Sequence, residues 1–145
     1  MRAPTCPDRT GDHGINTFKY AFHPHADDWR FDTVQKALAF NVPPVAFYNE
    51  NAVDGSLGSE YSFVTVSKKN ITVDALKKAQ DGNGYILRVV EDEQRRGKCR
   101  IDLGFGFDKV IECNMIEEDK AEIASDESGF EFTINPFEVK TFRII

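Results

Sequence analysis

The alternation of Cys99, Ile101, Leu103 and Phe105 with Arg100, Asp102 and Gly104 constrains this chain more than any other stretch. A period of two turns the four apolar side chains to one face of an extended strand and leaves the other face wet, a pattern no helix reproduces. Related runs occupy residues 45–48, 61–66, 71–79, 85–91, 110–116 and 130–145. Turn signals separate them. Asp81-Gly82-Asn83-Gly84 is the strongest, because Asp-Gly and Asn-Gly tolerate the positive φ of a tight hairpin. Residues 91–98 are charged and contain glycine, so they read as a second hairpin loop with Arg95-Arg96-Gly97-Lys98 at its solvated tip. Glu117-Glu118-Asp119-Lys120 reads as a solvated exit loop. The alternation slips between Thr141 and Phe142, which predicts a bulge or a strand buried on both faces.

The first third adds one more alternating run. Phe18, Tyr20 and Phe22 alternate with Lys19 and Ala21, predicting an aromatic strand in the core that stops at His23-Pro24-His25. Val34, Ala37 and Leu38 recur at helical spacing behind Asp32 or Thr33 as cap, and Asn41 with Pro43-Pro44 ends that single short helix. Residues 1–14 carry Pro4, Pro7, Gly11 and Gly14 without apolar period and read as a loop that formerly linked to a missing upstream part. Eight or nine short strands with at most one short helix predict an all-β fold, an antiparallel β-sandwich spanning 1–145 as one domain.

A net charge of -6 and a pI near 5.1 argue against nucleic-acid and anionic-membrane partners, which need clustered Lys and Arg. The polar, proline-rich start is no signal peptide and no apolar run approaches the length of a membrane span, so a cytoplasmic location is expected. Cys6, Cys99 and Cys113 lack CxxC spacing and fit reduced thiols. His13, His23 and His25 lie beside Asp12, Asp27 and Asp28, but Pro24 breaks the strand between the last two histidines and no second cluster closes a ligand shell. No metal site is therefore expected. The acids are scattered through loops, and the nucleophile elbow, the P-loop and the dinucleotide fingerprint are absent, so no catalytic residues are assigned in this chain.

Several ordered motifs then carry a resemblance. Arg2-Ala3-Pro4-Thr5, Pro7-Asp8, Asp12-His13-Gly14 and Phe18-Lys19-Tyr20-Ala21-Phe22-His23-Pro24-His25 with Trp29 are similar to the series R-[AS]-P-T-x-P-D and D-R-G-x-x-x-F-x-Y-x-[LF]-x-P-H. That series belongs to the C-terminal β-domain of bacterial-type glycoside hydrolase family 38 α-mannosidases. Residues 37–43 resemble its A-x-x-L-N-x-P segment, residues 73–88 its V-K-K-A-E-D turn and following strand, and residues 136–143 its closing P-F-E-I-x-T-[LF]-R.

The resemblance implies a non-catalytic domain that supports a separate catalytic domain and shapes the edge of its sugar pocket. The nucleophile, the general acid and the zinc would lie in that absent domain, which would hydrolyse terminal α-mannosides. Arg2, Asp12 and His13 become the candidate substrate-edge or interdomain residues, with His13 standing where the family often has a bidentate arginine. A missing stretch of sheet would leave exposed edges that favour self-association. The alternative is a stand-alone carbohydrate-binding module stacking sugar on Trp29, Tyr48 or Tyr61.

Overall fold

The computed structural model describes residues 10, 11, 13–50 and 55–145. Among them one helix, α1 (Thr33–Asn41), precedes eight strands. These are β1 (Val64–Val66), β2 (Ile71–Lys78), β3 (Tyr85–Glu91), β4 (Gly97–Leu103), β5 (Val110–Cys113), β6 (Asp119–Ile123), β7 (Gly129–Ile134) and β8 (Val139–Ile144). They form a three-stranded sheet, β1-β4-β7, and a five-stranded sheet, β2-β3-β8-β5-β6, with every pairing antiparallel. This is the expected β-sandwich.

The core is the apolar halves of the alternating runs. Cys99, Ile101 and Leu103 of β4 and Phe130, Phe132 and Ile134 of β7 meet Leu87, Val89, Val110, Phe142 and Ile144 of the larger sheet. Phe142 wedges between the sheets, its ring centroid 4.8 Å from Phe130 and 4.9 Å from Phe132. Aromatic contacts at such tilted angles add to area burial. On the opposite side of β4, Arg100 pairs with Asp102 at 2.7 Å and Asp126 at 2.8 Å, so the outward face of the small sheet is a solvated charge network. The guanidinium holds the Asp126 carboxyl well below the ordinary carboxylate range.

The register slip near the C-terminus is a strand buried on both faces. β8 is the middle strand of the larger sheet, and Thr141, Phe142, Arg143 and Ile144 are all buried. The 81–84 hairpin also forms as expected, with φ of 79° at Gly82 and 80° at Gly84. At Gly84 a Cβ would collide with the Ile144 carbonyl, so glycine is needed there twice over.

Four expectations are corrected. Residues 91–98 are not a hairpin, because β3 and β4 lie in different sheets and the segment carries the chain across the core edge. The acidic exit at 117–120 instead turns into β6, which pairs with β5. Only Val64–Val66 of the 61–66 run is strand, and residues 45–48 form none. Phe18, Tyr20 and Phe22 also form no strand and lie outside the core, with Tyr20 86% and Phe22 90% exposed. Alternation assigns side chains to a common face but cannot say that another layer covers it.

The helix at Thr33–Asn41 matches its expected span, ended by the Val42 N–H donating to Leu38 O at 2.8 Å. Asp32 precedes it without a side-chain cap bond, because its carboxylate meets His23 Nε2 at 3.0 Å. No residue of α1 is buried. Three of the four sheet edges carry their own protection: β1 is three residues long, β2 bulges between Val73 and Ala75, and β6 is lined by Asp119, Lys120 and Glu122.

Candidate functional site

Two features stand out against this scaffold: an uncovered apolar segment ahead of the sandwich, and buried charges that tie its turns together. Ile15, Phe18, Tyr20, Phe22, Phe47 and Tyr48 are all exposed, and α1 adds Leu38 and Phe40 to the uncovered side chains. Between them, Ala21, Phe22, Thr33, Ala37 and Phe40 line an open hollow of about 390 Å³. Aromatic side chains left in water forgo the largest single burial contributions a protein has. A concentration of them on one stretch marks a contact surface. The segment is tied to the sandwich by Gln35, whose Nε2 donates to Lys69 O at 2.9 Å, and by the Tyr61 hydroxyl, which donates to Gly104 O.

The first buried charge is Glu91. Its Oε1 accepts the side chain of Asn70 at 2.9 Å and the N–H groups of Glu93 at 3.0 Å and Arg95 at 2.9 Å, while Oε2 accepts the Phe137 N–H at 2.8 Å. Burial pushes this carboxyl up, but the four donors outweigh it and hold its pKa below the ordinary value. Phe137 has φ of 56°, a left-handed conformation that the hydrogen bond from its N–H helps to hold. Neighbouring Asp92 is pushed the other way, by burial and then by the charges of Glu93 and Glu91.

The second is Arg143, 3% exposed on the outer face of β8. It donates to Asp119 at 2.8 Å, Asp81 at 2.9 Å, Asn83 O at 2.9 Å and Glu117 O at 2.8 Å. One guanidinium thus joins the β2–β3 turn to the β5–β6 turn. Sequence reasoning missed both charges, because a buried, saturated Glu or Arg looks like any other charged residue until its partners converge.

Of the candidate residues, Arg2 and Asp12 lie outside the described residues. His13 is exposed, and its backbone N–H donates to Thr10 O at 3.0 Å. His23 and His25 have ring centroids 5.8 Å apart, and His23 is engaged by Asp32. Among the described residues, no group of three or more His, Cys, Asp or Glu side chains converges to hold a metal ion. The described residues do not fit a zinc centre, which needs three or four convergent ligands. Cys99 and Cys113 are buried free thiols whose pKa burial raises, the opposite of an activated nucleophile.

The comparisons with known proteins agree with this geometry. The family model described as "Glycosyl hydrolases family 38 C-terminal beta sandwich domain" matches residues 70–142, the span of β2 to β8. Alpha-mannosidase G of Dictyostelium discoideum is 31% identical over 150 aligned positions, covering 100% of this chain and 14% of that protein. Alpha-mannosidase 2C1 of Homo sapiens is 24% identical over 151 positions, with the same coverage of each chain, and its Mus musculus counterpart is 22% identical. The chain therefore spans 14% of the length of these curated relatives. The sandwich of 70–142 and its alignment along the whole chain place this protein in glycosyl hydrolase family 38, as the C-terminal β-sandwich, non-catalytic domain of an α-mannosidase-like protein.

Proposed function

We propose that this chain works as a supporting domain for an α-mannosidase catalytic domain, packing against it through residues 15–48 and contributing to the edge of its sugar pocket. The carrying observation is the exposure of Phe22, Phe47 and Tyr48 at 88–92% in a chain that spans 14% of its relatives' length. Such side chains fit an interface with the remaining length. Arg2, Asp12 and His13, just ahead of that segment, are the substrate-edge or interdomain residues under this reading. The parent would hydrolyse terminal α-mannosides with zinc held outside this chain, in a cytoplasmic setting. Residues 1–145 act as one domain, with the same apolar face driving self-association in isolation.

The test is complementation. Dictyostelium alpha-mannosidase G lacking its homologous C-terminal segment is mixed with this chain, and co-elution with restored hydrolysis of a chromogenic α-mannoside is expected. Turnover by this chain alone, or no association at micromolar concentration, overturns the proposal.

Ring exposure also favours a second reading, the carbohydrate-binding module, since Trp29, Tyr48 and Tyr61 are all exposed. Two of those rings are already engaged. Arg30 lies over Trp29 at 5.5 Å, and Tyr61 packs against Phe63 at 5.3 Å and 77°. Calorimetry with mannose and mannobiose decides: millimolar or tighter binding by the isolated chain supports the module.

A further inference from the structure

The basic run at Arg95-Arg96-Gly97-Lys98 is not a lone solvated tip. The β3–β4 crossover brings it beside the Lys68 turn, and together they surround a pocket of about 210 Å³. Lys68, Arg95, Arg96 and Lys98 line it, over a floor of Ile71 and Ile134. Glu93, 1% exposed, faces Arg95 Nε at 3.3 Å without forming a hydrogen bond, and so offsets one of the four cations. Lys68, Arg96 and Lys98 have no ion-pair partner among the described residues. In a chain of net charge -6, gathering them works against their mutual repulsion.

The pocket is also held in shape. The buried Glu91 carboxylate takes a hydrogen bond from Asn70 in one wall and from the Arg95 N–H in the other, and the Asp92 N–H donates to Asn70 O at 3.1 Å. Both walls are therefore fixed before any ligand arrives, which lowers the ordering cost of binding. Guanidinium and ammonium groups around a rigid hollow suit an oxyanion, and arginine matches phosphate and carboxylate oxygens in pairs. The apolar floor and a volume of several waters suit an anion that carries an organic group.

We propose that this pocket is a binding site for phosphate monoesters. Three cations without an ion-pair partner, set against the buried Glu91 and Glu93 carboxylates behind the walls, favour a dianion over a singly charged carboxylate, and Ile71 and Ile134 take the organic part. The site goes beyond the supporting role proposed above and does not depend on it.

Amide NMR of the 145-residue chain, titrated at constant ionic strength with phenyl phosphate, inorganic phosphate and benzoate, tests the proposal. Saturable shifts at Asn70, Gly97 and Lys98 are expected, strongest for phenyl phosphate and weakest for benzoate. Arg96→Gln with Lys98→Gln, both on exposed positions, weakens phenyl phosphate by about tenfold or more, the scale of losing charge-assisted hydrogen bonds. Lys120→Gln, on the β6 edge, leaves it unchanged. Shifts no larger than chloride gives at equal ionic strength, or saturation unaffected by the double substitution, overturn the proposal. Benzoate binding as tightly as phenyl phosphate overturns the phosphate assignment.

Discussion

Arg143 Nε lies 2.8 Å from Asp119 Oδ1, and the same guanidinium reaches Asp81, 62 residues away in sequence, at 2.9 Å. A side chain on the central strand thereby joins two turns that have no sequence relation to each other. Arg143→Met leaves Asp119, Asp81 and two carbonyl oxygens without their donor, and Arg143→Lys keeps the charge but loses the planar fork. A loss of about 3 kcal/mol is expected for the methionine variant and a smaller one for lysine, read from urea unfolding midpoints.

Glu91 sets an acid limit to stability. Its folded pKa lies below the ordinary 4.5, so its contribution is full above the unfolded value and is lost as pH falls through the folded one. Asp92, with its pKa raised, works in the opposite sense: its charged form opposes folding, and protonation relieves that. Glu91→Gln should therefore flatten the fall in stability that sets in as pH drops below the ordinary carboxylate value. Glu91→Ala, which strands four donors, should cost about 3 kcal/mol at neutral pH. An acid limb as steep in Glu91→Gln as in the native chain would show that other carboxylates set it.

Phe142 touches both phenylalanines of the opposing strand, so shortening it opens a cavity between the sheets. Phe142→Ala is expected to cost about 3–5 kcal/mol and Phe142→Leu distinctly less, by thermal or urea unfolding.

Gly129 begins β7 with its Cα against the Ile101 carbonyl of β4, and an added Cβ would run into that oxygen. Gly129→Ala should separate the two strands locally and cost about 1–3 kcal/mol. Amide exchange at Ile101 and Asp102 would report the loosened pairing.

Phe22→Ser with Phe47→Ser removes two rings that none of the described residues covers. Stability of the isolated chain should change by less than about 0.5 kcal/mol, while its self-association and its complementation of a truncated α-mannosidase should both fall. A large loss of stability instead would place these rings inside the fold.

Much of the fold was legible residue by residue. The alternation at 99–103 became β4, which ends before Gly104 and Phe105, Asp81-Gly82-Asn83-Gly84 became a hairpin turn, and the slip before Phe142 became a strand buried on both faces. Of the charged groups that shape the surface, little was visible. Lys68 and Arg96 come together only because the chain crosses between sheets, and Glu91 and Arg143 depend on partners that include groups 21 to 62 residues distant.

The sequence by itself determined that this chain is built of short antiparallel strands, and where they turn, because side-chain period and turn chemistry act over a few neighbouring residues. Its motifs also carried the family. Only the tertiary structure decided that residues 91–98 cross between sheets, and that Phe18, Tyr20 and Phe22 stand uncovered. Alternation fixes which side chains share a face; what packs on that face is settled by the three-dimensional arrangement of distant segments.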